Sequence, residues 1–348
     1  IKHALIVTDE GVVAAGLLDQ VLEALPCDTR ATVFEETPQN PTERACLAGL
    51  RCYEKNDCDS LIALGGGSSI DLAKAVALLA SHGGELSSYV AIEGGVARIR
   101  DILPPLIAIP TTAGTGSEVG RGAIIVLNDH KKLAIISPYL VPSVAICDPM
   151  LTLSLPAHLT AATGMDALAH CVETYVATAY NPPADGIAIE GLKRAARHIR
   201  RATSHGDDLG ARREMMASAL NGALAFQQGL GGVHAMSHAL GGLPGHKLHH
   251  GTLNAILLPH VLRFNAPAVG DRYPALNEAM GLAGDADTAS AVAELTAELG
   301  LPLTLGELGV TESDIDIAAP LAVIDHTNST NPRKAGAADY HDLLERAL

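Results

Sequence analysis

Ser60-Leu61-Ile62-Ala63-Leu64-Gly65-Gly66-Gly67-Ser68-Ser69-Ile70-Asp71-Leu72-Ala73-Lys74 passes from one apolar run, through a triple glycine, into another. The first five residues read as a short strand bounded by turn residues, and the segment from Ser69 onward reads as a helix. Strand, glycine turn and helix N-terminus in that order form a phosphate-binding arrangement. Bare backbone N–H groups and the positive end of the helix dipole both face the anion. The spacing is not G-x-G-x-x-G, so a tight turn that needs glycine for its φ angles is the competing reading.

On either side of this stretch the same rhythm repeats. Strand candidates lie at 4–8, 31–34, 60–64, 105–109, 123–127 and 143–147, with helical candidates at 16–24, 41–55, 69–79 and 85–90. Such βαβα alternation predicts a mainly parallel sheet covered by helices. Ligands in these folds sit outside the carboxyl ends of the strands. A second candidate loop, Pro110-Thr111-Thr112-Ala113-Gly114-Thr115-Gly116-Ser117-Glu118, follows the apolar run 106–109. Its hydroxyls and small residues suit phosphate and ribose oxygens, or alternatively helix capping. Asp9 closes the first strand, where an acidic residue hydrogen-bonds the ribose of NAD and repels the extra phosphate of NADP. A turn or N-cap aspartate fits the same position.

Beyond residue 150 no strand pattern is evident, and apolar residues recur at helical spacing through 159–178, 184–202, 209–227, 231–240, 252–264, 270–282, 287–299 and 312–323. The expectation is therefore two domains: a Rossmann-like α/β domain over 1–153 and an all-helical domain over 154–348. The helical part carries the histidines that point to a metal. His234 and His238 are four apart and share a helix face. Leu240-Gly241-Gly242-Leu243-Pro244-Gly245 breaks that helix, and His246, His249 and His250 precede a new apolar run. Asp166 and His170 are likewise four apart, in a segment rich in Ala, Leu, Val and Met. A carboxylate on such an inward face is costly to bury unless it is paired or binds a metal. One Asp and three His make a four-donor N/O site, and imidazole suits Zn, Fe, Cu and Ni. An aspartate interacting with a helix dipole would account for Asp166 alone, but not for His170.

Composition narrows the classes. The net charge is −15, which excludes a phosphate-backbone binder and disfavours anionic membranes. No apolar run reaches the ~18–20 residues of a membrane span. The six cysteines, at 27, 46, 52, 58, 147 and 171, form no C-x-x-C pair, and the expectation is free thiols in a reducing cytoplasm. Asn328-Ser329-Thr330 matches a glycosylation sequon, and without a visible secretory signal it is read as chance.

Five motifs occur in order: Gly65-Gly66-Gly67-Ser68 with Asp71; residues 110–118; Gly164-Met165-Asp166-Ala167-Leu168-Ala169-His170; Val233-His234-Ala235-Met236-Ser237-His238; and His250-Gly251 with Asn254-Ala255-Ile256-Leu257-Leu258-Pro259-His260. Together with Asn331-Pro332-Arg333, they resemble the iron-containing (group III) alcohol dehydrogenases along essentially the whole chain. The resemblance implies a divalent metal, Fe(II) or alternatively Zn(II), held by Asp166, His170, His234 and His250, with His246 and His249 as neighbours of the last ligand. It implies that His238 stands beside the nicotinamide as the catalytic histidine. It implies NAD, rather than NADP, held by Asp9, Asn40, Gly66, Gly67, Ser68, Asp71, Thr111, Thr112, Thr115 and Lys132. The family also begins with a further strand, so an N-terminal segment is expected to be missing here. A homodimer or larger oligomer is expected.

The implied reaction is reversible hydride transfer between NAD(H) and a small primary alcohol or aldehyde. An anionic substrate such as 4-hydroxybutyrate or succinic semialdehyde would need a cation, for which Arg121, His246 and Lys247 are candidates. Solvated surface residues are the simpler reading of all three. Related polyol dehydrogenases, maleylacetate reductases and a non-enzymatic metal-binding protein are the alternatives.

Overall fold

The computed structural model describes residues 1–129 and 131–348. Contacts divide them into two units, Ile1–Thr112 with Ser117–Ser154 and Ala113–Gly116 with Leu155–Leu348. In the first, β1 (His3–Val7), α1 (Glu10–Ala14), α2 (Leu17–Ala24), β2 (Arg30–Phe34), α3 (Glu43–Lys55), β3 (Ser60–Gly65), α4 (Gly67–His82), β4 (Leu106–Pro110), β5 (Gly122–Val126), β6 (Lys132–Ile136) and β7 (Val144–Ala145) follow in order. Among the described residues β2-β1-β3-β4-β7 form one sheet, and every pair in it is parallel.

The register explains why these strands read as continuous apolar runs. Leu5 stands opposite Leu61 and Ile6 opposite Ile62. Side chains alternate across a strand, so Leu5, Val7, Leu61 and Ala63 join one core with α4 residues Leu72, Val76 and Leu79. Ala4, Ile6, Ile62 and Leu64 join another with Val12, Leu17 and Val21. With both faces covered, no polar alternation is left. The order also fixes a switch point. From β1 the chain moves outward to β2 and then returns to β3 on the other side, so β1 and β3 bound the crevice where such sheets bind ligands.

Three expectations for this unit are corrected. The run at 123–127 does form β5, but it pairs antiparallel with β6 in a separate two-stranded ribbon. Only a short connection separates the two strands, too short for a parallel crossover. The run at 143–147 yields only the two-residue edge strand β7, and 85–90 yields a 3₁₀ turn, Leu86–Tyr89.

The second unit is built of α5 (Ala157–Val176), α6 (Pro182–Ser204), α7 (Leu209–Ala225), α8 (Gly232–Gly241), α9 (His250–Val269), α10 (Arg272–Met280), α11 (Thr288–Glu298), α12 (Glu312–Ile324) and α13 (Ala337–Ala347). No strand occurs in it among the described residues. The last helix was not expected, although Tyr340, Leu343, Leu344 and Ala347 give it a buried face at helical spacing. α5 is the centre: all but one of its side chains from Thr160 to Val176 are buried. α9 starts against it, because Gly251 has no side chain. A Cβ there would lie 2.2 Å from the Ala162 carbonyl oxygen. No described helix is long and apolar enough to cross a membrane. The six cysteines are all free.

Candidate functional site

Asp166 and His170 occupy successive turns of α5, and both are buried. His234 lies in the first turn of α8, and His250 is the first residue of α9. Three imidazole nitrogens converge on one carboxylate oxygen. From Asp166 Oδ1, the Nε2 atoms of His170, His234 and His250 lie 3.9, 3.7 and 3.6 Å away. Four donors at ~2.1 Å around a tetrahedral ion would stand about 3.4 Å apart, so the spacing and the donor set both fit a divalent cation. His246 is instead engaged with Asp314 at 3.2 Å, and His249 precedes α9 with its Nδ1 3.4 Å from Thr252 Oγ1.

The electrostatics fit the same chemistry. Burial opposes ionisation of Asp166, but the surrounding histidines outweigh it and hold the carboxyl well below the usual range. Burial pushes His170 down to about 4 despite Asp166, which favours the neutral, metal-binding ring. His234 is also penalised by burial, yet the flanking Asp166 and Glu173 carboxylates lift it to about 9. A cation would therefore displace a proton there.

Around the four donors stand residues outside the expected ligand set. Asn254, fully buried on α9, donates from Nδ2 to Asp166 Oδ1 at 2.7 Å and lies 3.3 and 3.2 Å from the Nε2 atoms of His234 and His250. Its own Oδ1 is buried without a hydrogen-bond partner. Glu173 receives His234 Nδ1 at 2.5 Å. Glu173 follows Asp166 by seven residues, on the same helix face, and this spacing could have exposed it in the sequence.

His238, one turn after His234, stacks on His250 with ring centroids 5.3 Å apart. Its Nδ1 contacts Asp325 Oδ2 at 3.0 Å. The other oxygen of Asp325 accepts from the backbone and hydroxyl of Thr327 at 2.8 and 2.6 Å. Burial disfavours the Asp325 carboxylate, but His238 and these donors hold its pKa below the usual range. Nothing local in the sequence marks Asp325, which is 87 residues from its partner.

Most cofactor candidates of the first unit lie at or beyond the carboxyl ends of its strands, whereas Asp71 lies within α4 and Lys132 begins β6. Asp9 follows β1, and its Oδ1 caps α1 through Gly11 and Val12 at 2.9 and 3.1 Å. Its Oδ2 lies 3.5 Å from Ser69 Oγ. Gly65 ends β3 at φ +150°, and a Cβ there would strike Ser69 Oγ at 2.5 Å, so only glycine fits this turn. Gly66 and Gly67 open α4, and Ser68 Oγ donates to the Gln39 carbonyl. Thr111 and Thr112 follow β4, the Thr111 N–H bonding Gly65 O at 3.0 Å. A Cβ on Gly66 would lie 3.4 Å from Thr112 Oγ1. Asn40 Oδ1 accepts from Lys132 Nζ at 2.9 Å. Thr115 belongs to the short stretch grouped with the helical unit. Asp71 has a structural engagement: its carboxylate accepts from Ser117 Oγ at 2.5 Å and from Ile124 N at 2.9 Å.

Comparison with known proteins places this geometry. The family model for the iron-containing alcohol dehydrogenases matches residues 1–149, and the C-terminal model of the same family matches 160–348. The chain belongs to the iron-containing alcohol dehydrogenase family and is an oxidoreductase of that class. It is 55% identical over 355 residues to a 4-hydroxybutyrate dehydrogenase of Cupriavidus necator, covering 100% of this chain and 93% of that protein. An NAD-dependent methanol dehydrogenase of Bacillus methanolicus is 36% identical, with 100% and 92% covered. Among solved structures, a 1,3-propanediol oxidoreductase superposes with a TM-score of 0.93 at 36% identity, covering 100% of this chain and 92% of that one.

Proposed function

We propose that this chain is a metal-dependent, NAD(H)-linked dehydrogenase that interconverts 4-hydroxybutyrate and succinic semialdehyde. The observation that carries the metal chemistry is the convergence of three imidazole nitrogens within 3.9 Å of the buried Asp166 carboxylate. Asp166, His170, His234 and His250 are the proposed ligands, of Fe(II) or alternatively Zn(II). When bound, the cation supplies a Lewis acid for the substrate oxygen and the nicotinamide supplies the hydride carrier.

The chain's own residues do the rest. His238 holds the alcohol proton at Nε2, since Asp325 engages its Nδ1. Gly66, Gly67 and Ser68 present the α4 N-terminus to the pyrophosphate. Thr111, Thr112 and Thr115 offer hydroxyls, and the pair formed by Asn40 and Lys132 offers a further polar contact. Asp9 Oδ2 is the proposed ribose acceptor, which favours NAD over NADP. Asp71 supports the loop at Ser117 and β5. The substrate class rests on the 4-hydroxybutyrate dehydrogenase that is 55% identical to this chain. Lys247 is exposed and is the proposed partner for a carboxylate tail, whereas His246 is paired with Asp314.

The test is kcat/KM for succinic semialdehyde against butanal with NADH. A preference above about tenfold, ~1.4 kcal/mol, is expected. Equal use of the two aldehydes would remove the anionic substrate and leave a general short-chain alcohol dehydrogenase.

A further inference from the structure

α5 carries three polar groups on one face, at Asp166, His170 and Glu173. The first two belong to the proposed ligand set. Glu173 lies one turn further along, is 3% exposed, and among the described residues its ion-pair partner is the His234 ring. Its two oxygens are spent on the start of α8. Oε1 accepts from Val233 N at 2.7 Å, and Oε2 accepts from His234 N at 3.3 Å and from His234 Nδ1 at 2.5 Å. The remaining N–H at this helix end, that of Gly232, goes to Asn331 Oδ1 at 3.0 Å. The fit is tight: a Cβ at Gly231 would lie 2.9 Å from Glu173 Oε1 and 2.7 Å from Asn331 Oδ1.

A helix end can be capped by a neutral oxygen, as Asn331 does for Gly232. A buried carboxylate costs far more to desolvate than an amide. What it adds here is directed at the His234 ring, which lies between two carboxylates of the same helix. Nδ1 is on Glu173, and Nε2 is 3.7 Å from Asp166 Oδ1. A neutral imidazole that donates from Nδ1 keeps its lone pair on Nε2, and Nε2 is the atom that faces the other donors.

We infer that Glu173 is a positioning residue for the metal centre: through its hydrogen bond it fixes the tautomer and orientation of His234 and so governs how tightly the cation is retained. This rests on the ligand set proposed above. It also changes the charge count of the site. Asp166 alone leaves a divalent cation at net +1, whereas Asp166 and Glu173 together make the buried ensemble neutral. The outer carboxylate thus raises the basicity of His234 and favours retention of a divalent ion.

The experiment uses the full chain stripped and reloaded with Zn(II), with the dissociation constant read by competition against a chromophoric chelator. Glu173→Gln keeps the shape, but its amide can donate to Nδ1 and leave the proton on Nε2. Zn(II) affinity is expected to fall about tenfold to hundredfold. Asn331→Ser loosens the same helix end without touching His234 and is expected to bind Zn(II) as the unsubstituted protein does. Unchanged affinity in Glu173→Gln overturns the inference. So does an equal loss in both variants, which would make Glu173 only a cap. If Glu173→Gln does not fold, ¹⁵N spectra of the Zn(II)-loaded natural protein decide. Coordination of His234 through Nε2 with Nδ1–H is expected, and coordination through Nδ1 is contradictory. Undiminished Zn(II) binding in His234→Ala would overturn the ligand set itself, an outcome distinct from these.

Discussion

His234 and His238 are the same residue type on the same helix face, and their partners give them different work. His234 has Glu173 behind it and Asp166 in front. His238 has Asp325 behind it and stacks on both His250 and His326, at 5.3 and 5.8 Å. If His238 carries the proton, Asp325 sets the ring for it. A positioned proton-transfer group contributes roughly 10²–10⁴-fold. Asp325→Asn, which perturbs that group indirectly, is expected to lower kcat on the order of tenfold or more while Zn(II) content stays that of the unsubstituted protein. Loss of metal along with turnover would instead make Asp325 part of the metal site's scaffold. At this scale the sequence is informative where partners share a helix. Asp166 with His170, and His234 with His238, follow from spacing of four, and Glu173 was open to the same argument at spacing of seven. Asn254 likewise follows His250 at a spacing of four on α9, whereas Asp325 is brought in by tertiary packing from the end of α12, and no local pattern marks it.

At the scale of elements, α4 shows how the glycine-rich turn is held in place. Lys74 is fully buried and donates to the carbonyl oxygens of Ser117, Gly120 and Gly122 and to Ser117 Oγ, at 2.7 to 2.9 Å. Asp71, one turn earlier, takes Ser117 Oγ and Ile124 N. These two side chains tie the helix behind the phosphate-loop candidate to the 117–122 loop and to β5. Lys74→Met would leave four buried acceptors and the Asp71 carboxylate without their cation. The expected loss is about 3–5 kcal/mol of unfolding free energy, measured in urea, and a loss below about 1 kcal/mol would show that the tie is dispensable. The same stretch explains where reading the sequence fell short. The alternation of strands and helices correctly predicted β1 to β4, since buried parallel strands are continuous apolar runs. The run at 123–127 carried the same apolar signature, but strand direction depends on the length of the connection that follows. Asp71 matched a cofactor motif, but its distant partners determine its engagement.

At the scale of the whole molecule, the sequence divides where the chemistry divides. Most of the proposed cofactor residues lie in the first unit, and the proposed metal donors lie on three helices of the second. The central claim is that the four converging donors hold a catalytic divalent cation, and its most direct test is NADH oxidation by the full chain after chelation and anaerobic reloading. Turnover of succinic semialdehyde is expected to vanish in the stripped protein and to return on stoichiometric addition of Fe(II), with Zn(II) as the alternative ion. Full activity in protein shown to be free of metal, or no recovery with any divalent ion despite intact NADH binding, would contradict the claim.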